Sequence, residues 1–144
     1  MRESAWKALC AVVCAVLVVP FVLGFVGACD GVLECASGAV PMRCHWAFRA
    51  QVLLVPVAIV ASLLALYART REGRRIAVAL SALLAVAAAL MLTPLGIGVC
   101  PGAEMGCDIS ALVLWTACAV AVALDAVLFA KADPDAAAKP KRML

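Results

Sequence analysis

Cysteine is the residue type with the greatest chemical capacity in this chain. The sequence has eight cysteines and a single histidine among 144 residues. Most of these groups fall in two polar stretches, the longer from Cys29 to Trp46 and the shorter from Cys100 to Cys107. Thiols in an oxidising compartment form disulfides, an activated thiolate exchanges them, and thiol, thioether and imidazole groups together bind copper(I). The two stretches therefore offer three alternative chemistries.

Structural disulfides are the first of these chemistries. The two stretches contain five cysteines: Cys29, Cys35, Cys44, Cys100 and Cys107. Five thiols allow two bridges and leave one thiol over, and the sequence does not determine which cysteines pair. Bridges within each stretch would fix two loops, whereas bridges between the stretches would clamp the two halves of the chain together. We expect a disulfide-stapled cap, with either Cys29 or Cys35 left free.

Thiol–disulfide exchange and copper binding are the alternatives. The chain has no Cys-x-x-Cys motif, but Arg43 and His45 flank Cys44 and could activate its thiol. A copper site would draw on Met42, Cys44, His45, Met105 and Cys107. With one histidine and oxidised cysteines, we predict no bound metal and no cofactor. The sequence shows no catalytic Ser-His-Asp set, phosphate-binding loop or carboxylate pair, so an enzyme is the less favoured interpretation.

The elements that position these cysteines are long and apolar. Hydrophobic residues make up 67% of the chain, against about 45–50% in an ordinary soluble domain. Four runs reach the about 20 residues with which a helix crosses a bilayer. The predicted spans are 6–28, 48–68, 76–97 and 110–130. Backbone groups in lipid must be satisfied internally, so we predict an all-α, integral membrane four-helix bundle of two hairpins, residues 1–130, with a disordered tail, 131–144.

The distribution of positive charge predicts the orientation of the bundle. Most basic residues fall on one side of the spans: Arg2, Lys7, Arg69, Arg71, Arg74, Arg75, Lys131, Lys139, Lys141 and Arg142. Arg43 and Arg49 fall on the other side. By the positive-inside rule, both termini and the tail are cytoplasmic and the cysteine stretches lie outside the cell membrane. This topology accounts for the basic loop, so nucleic acid is not an expected partner.

Residues 26–29 (VGAC) also resemble a lipoprotein cleavage box. Cleavage there would leave a lipidated Cys29 and three spans. The apolar run before Cys29 is much longer than the hydrophobic region of a signal peptide, which favours a retained first span.

Small residues on the third and fourth spans predict close helix packing. Ala77, Ser81, Ala85 and Ala89 recur at every fourth position, and Ala119 and Ala123 do the same on the last span. Small side chains let helix backbones approach closely in lipid. We therefore expect a non-enzymatic accessory or structural component, in contact with the lipid bilayer and with another membrane protein or transporter subunit.

An acidic residue also lies within the last span. Asp125 is an intramembrane carboxylate and hence a functional candidate by default. The alternative is that it reaches the interface and pairs with Lys131.

Three motifs carry a family resemblance. Residues 42–46 (MRCHW) follow the first span and the first loop, whereas 96–100 (GIGVC) and 105–107 (MGC) follow the third span. Together they resemble the domain-of-unknown-function family 4418 of small bacterial four-span proteins, over residues 5–130. The resemblance implies a multi-pass protein of the bacterial inner membrane without an assigned activity. It also implies that Cys29 or Cys35 corresponds to the family's first loop cysteine, while Ala47 stands where the family often has threonine.

Overall fold

The computed structural model describes residues 3–26, 32–35, 38–98 and 106–132. The helices are α1 (Glu3–Val26), α2 (Arg43–Tyr67), α3 (Arg71–Met91) and α4 (Gly106–Ala130), and two strands, β1 (Val32–Cys35) and β2 (Gly38–Pro41), precede α2. All four helices are long and apolar enough to cross a membrane. The predicted all-α architecture with four candidate spans is therefore confirmed.

The helices form an up-and-down bundle that closes on itself. Helix α1 packs against α2 and α4, and α3 packs against the same two helices. At one end, the indole nitrogen of Trp6 on α1 donates to the carbonyl of Ala65 on α2, at 3.2 Å. We call this the basic end, because the charged residues Lys7, Arg69, Arg71, Arg74, Arg75 and Lys131 lie there. The opposite end, which carries β1 and β2, is called the hairpin end.

Apolar side chains fill the bundle and also cover it. Trp6, Leu17, Phe48, Leu114 and Leu128 are among the largest fully buried residues, and they are distributed between the two ends. On the outer surface, Leu53, Ile76 and Leu83 are 75%, 68% and 66% exposed, respectively. A helix that is apolar on every side is stable in lipid, where an exposed leucine is not in contact with water. The packing thus agrees with a multi-pass membrane protein.

All four helices begin three to five residues before the predicted spans, and one ends earlier. Helices α2 and α4 begin at Arg43 and Gly106 rather than at 48 and 110. The prediction followed hydropathy, which excludes polar residues from a span although their backbones can be helical. As a result, Cys44 and Cys107 lie in the first turns of two helices.

Helix α3 ends at Met91 rather than at 97. Pro94 disfavours the helical conformation for the residue before it. The amides of Ile97 and Gly98 both donate to the carbonyl of Met91, at 3.1 Å each, and Gly98 has a φ of +80°. A turn of this kind replaces the last part of the predicted span.

The strands are a feature that the sequence did not predict. Strands β1 and β2 pair antiparallel, with Val32 opposite Pro41 and Cys35 opposite Gly38. Gly38 has a φ of +118°, a conformation that favours glycine. Four-residue runs beside an apolar span carry too little alternation to predict a strand.

Candidate functional site

The MRCHW motif forms the start of α2 at the hairpin end. Cys44 is fully buried in the first turn, and Met42 packs against the core just before the helix. The rings of His45 and Trp46 meet edge to face, with centroids 5.7 Å apart, and Trp46 is 55% exposed. An exposed tryptophan at the end of a span is typical of an interfacial anchor. The motif thus places one sulfur inside the bundle and one aromatic ring outside it.

Cys107 occupies the equivalent position at the start of α4. It is 6% exposed and belongs to the core, as Cys44 does. The first turn of a helix presents backbone N–H groups without intrahelical partners, together with the positive end of the helix dipole. Both sulfurs therefore lie in environments that suit either a structural bridge or an exchanging thiol, and the placement alone does not separate these alternatives.

Several of the predicted cap residues lie outside the described residues. These are Cys29, Cys100 and Met105. Cys35 is the last residue of β1. The disulfide pairing therefore stays a prediction. Within the described ranges, no group of three or more His, Cys, Asp or Glu side chains could hold a metal ion.

The small-residue stripe of α3 lies largely inside the bundle. Ala77, Ser81 and Ala85 are buried, and Ala89 is partly buried. The hydroxyl of Ser81 is 2.7 Å from that of Ser62 on α2, and either oxygen can donate. At Ser81 this stripe thus serves packing within the protein.

The small residues of α4 lie instead on the outer surface. Ala119 and Ala123 are exposed, and they line an apolar groove of about 480 Å³ between α3 and α4. Ala85, Ala89 and Ala126 also line this α3–α4 groove, and Trp115 lies towards its hairpin end. The groove is open along the lipid-facing side of the bundle, at the depth of the apolar spans.

Buried polar side chains also lie inside the bundle, at more than one depth. The amide nitrogen of Gln51 donates to the carbonyl of Ala88 at 2.9 Å and so joins α2 to α3. Asp125 on α4 is only 1% exposed, and neither of its carboxylate oxygens has a hydrogen-bond partner in the described part of the chain. It therefore does not pair with Lys131. Sequence reasoning singled out Asp125 but missed Gln51 and Ser62, although polar residues within apolar spans are themselves a signal.

Arg74 is the centre of a second polar cluster, at the basic end. Its guanidinium group is within 3.0 Å of both carboxylate oxygens of Glu3, donates from Nε to the carbonyl of Ala68 at 2.9 Å, and lies 4.9 Å from the centre of the Trp6 ring. Arg74 itself is 7% exposed. We call Arg74, Glu3 and Trp6 the Arg74 cluster. It joins the start of α1 to the start of α3 and to the end of α2.

Comparison with protein families gave a match over most of the chain. A family described as a domain of unknown function (DUF4418) matches residues 11–131. This range takes in most of α1 and all of the other three helices. Comparison with curated proteins and with solved structures gave no match.

Proposed function

The chain belongs to the DUF4418 family, and from this premise we propose that it is a non-enzymatic accessory component of a membrane protein complex. The observation that carries the proposal is the α3–α4 groove. Lipid is as apolar as leucine, so helices associate in a membrane through close contact and not through the hydrophobic effect. A groove lined by alanines from two helices supplies such contact.

The occupant that we propose is one transmembrane helix of a different membrane protein. On α4 the groove extends from Trp115 to Ala126, which is about 16 Å of helix at 1.5 Å per residue. This length corresponds to about three helical turns. A helix is already rigid before it docks, whereas a lipid chain would lose conformational freedom in the groove.

The interior of the bundle supports a structural role over a transport role. Bulky side chains occupy it from Trp6 and Leu128 near the basic end to Phe48 and Leu114 near the hairpin end, and all four are at most 1% exposed. A conduction pathway needs a polar or water-filled lining. Filled packing of this kind favours a scaffold whose contacts with partners lie on its outer surface.

In our proposal, the hairpin end forms a cap on the extracytoplasmic side of a bacterial inner membrane. Cys44 and Cys107 are buried there at the starts of α2 and α4, where bridges to the other loop cysteines would hold the helix starts in place. The basic residues at the opposite end support a cytoplasmic position for that end. In this arrangement the cap stabilises the scaffold and takes no part in catalysis.

Filling the groove is expected to release the partner. In the double variant Ala119→Phe, Ala123→Phe, two rings would occupy the space in which a partner helix approaches. We expect recovery of the partner in a mild detergent to fall at least tenfold, which corresponds to about 1.4 kcal/mol. The measurement is quantitative mass spectrometry after purification of the full chain. A photo-crosslinker at position 119 should form its adduct within an apolar span of the same partner.

The matched control is Val120→Phe, Val127→Phe. These valines are 48% and 44% exposed on α4, and neither lines the groove. The control should recover as much partner as the natural chain. An equal loss of the partner from both variants would contradict the proposal. Crosslinks that form only to a second copy of this chain would also contradict it.

A further inference from the structure

Asp125 is a buried carboxyl group that the docking role does not use. It is 1% exposed, and both of its oxygens lack hydrogen-bond partners within the described segments. An ionised carboxylate in a low-dielectric interior requires a cation or several hydrogen-bond donors. The ionised form of Asp125 would therefore be stable only with a cation or hydrogen-bond donors beside it.

The groups around Asp125 do not supply a positive charge. From α1, Cys10 and Cys14 lie within electrostatic range of the carboxyl group. From α3, Ser81 lies nearby, but its hydroxyl is 2.7 Å from that of Ser62 on α2. The surroundings of the carboxyl group are thus hydroxyls and thiols contributed by the other three helices.

Arg74 and Arg75, two arginines of the basic end, have other contacts. Arg74 is held by Glu3 and Trp6, and the guanidinium group of Arg75 lies 5.4 Å from the centre of the Phe129 ring. Neither arginine forms a hydrogen bond to Asp125, whose oxygens have no partner in the described part of the chain. Within the described residues, no positive charge pairs with Asp125, although the Nε of Arg75 is also buried without a hydrogen-bond partner.

We propose that Asp125, with the hydroxyl pair of Ser62 and Ser81, forms a proton-binding site inside the bundle. The carboxylate takes up one proton from water and becomes a neutral carboxyl group, which can donate one hydrogen bond to a serine oxygen. A metal ion would need more ligands than one carboxylate and two hydroxyls. No set of three His, Cys, Asp or Glu ligands occurs in the described ranges.

The site lies nearer the basic end than the hairpin end. Helix α4 continues from Asp125 only to Ala130, which is about 7.5 Å. The proton therefore exchanges with water at the basic end, and each exchange changes the charge of the interior by one unit. Asp125 faces the interior, whereas the α3–α4 groove faces lipid. The proton site therefore does not depend on the docking role.

Dicyclohexylcarbodiimide tests the site on the full chain in native membranes. This apolar reagent adds to protonated carboxyl groups: the carboxyl oxygen bonds to the carbodiimide carbon, the proton passes to a carbodiimide nitrogen, and an acyl shift gives a stable N-acylurea. At about pH 7, where ordinary carboxyl groups are ionised, we expect the adduct on Asp125. We also expect the labelled fraction to fall as pH rises.

Controls within the same chain make the result specific. Glu72 and Asp108 are exposed and should stay unlabelled at this pH, and Asp125→Asn should lose the adduct. Because mass spectrometry locates the adduct in the natural chain, the result does not depend on whether the variant folds. Absence of an adduct on Asp125 at about pH 7 would overturn the proposal. Protection by sodium at constant ionic strength would also overturn it, because it would indicate a cation site.

Discussion

Arg74→Ala is expected to lower the free energy of unfolding by about 2–4 kcal/mol, because it removes a buried charge-assisted hydrogen bond and a buried cation–π contact. The substitution removes the hydrogen bonds to Glu3 and to the Ala68 carbonyl together with the contact with the Trp6 ring. Glu3 is 52% exposed, so the lost ion pair itself contributes only a small part of this free energy. The larger part comes from the buried contacts that join α1, α2 and α3.

Unfolding of the purified protein in detergent measures this effect. Arg74→Lys is the matched control, because it keeps the charge but replaces the planar guanidinium group by a single ammonium group. We expect its midpoint to lie between those of the natural protein and Arg74→Ala. Arg69→Ala changes an exposed arginine just before the same helix and controls for the loss of one positive charge. Equal midpoints for Arg74→Ala and Arg69→Ala would show that the cluster does not stabilise the bundle.

Gly24→Leu is expected to separate α1 from α2. A Cβ atom at Gly24 would lie 2.9 Å from Cγ2 of Val52, 3.1 Å from the carbonyl oxygen of Phe48 and 3.3 Å from Cβ of Gln51. These distances leave no room for a leucine unless the helices move apart, and overpacking of this kind costs about 1–3 kcal/mol or more. We expect a lower unfolding midpoint in detergent and a smaller decrease for Gly24→Ala.

Val22→Leu serves as the control on the same helix. Val22 is 47% exposed on the outer surface, where an added methylene contacts lipid and should change stability by less than about 0.5 kcal/mol. If Gly24→Leu unfolded at the same midpoint as Val22→Leu, the result would contradict close packing of α1 against α2 at Gly24.

The four helices could be predicted because the bilayer imposes a length and a composition on each span. The runs around Leu17, Val55, Ala85 and Leu114 satisfy that requirement without reference to any other part of the chain. A local requirement of this kind can be read from a single sequence.

Features that depend on contacts between distant residues could not be predicted. In the sequence, Arg74 indicates only topology through its charge, because nothing local indicates a contact with Glu3, 71 residues away in the chain. Likewise, Ser81 and Ala119 follow the same small-residue pattern, but Ser81 is buried in the bundle and Ala119 lines the outer groove. Pattern gives the spacing of such residues, whereas the neighbouring helices decide what they face.

The starts of α2 and α4 could not be predicted for a different reason. Hydropathy marks where lipid could begin, and it excluded Arg43 and Cys107 from the spans although the backbone is helical at both. This difference matters for the cap, because it moves Cys44 and Cys107 from loops into first helical turns.

The orientation of the bundle is the claim on which the cap, the oxidised cysteines and the cytoplasmic basic end all depend. Asp108 and Glu72 form a matched pair of reporters, since both are exposed acids in the first turn of a helix, at the hairpin end and the basic end, respectively. The measurement is labelling of Asp108→Cys and Glu72→Cys in intact cells with a membrane-impermeant maleimide. We predict that position 108 is labelled in intact cells and position 72 only after permeabilisation; the reverse result would place the cysteine cap in the cytoplasm and contradict the account.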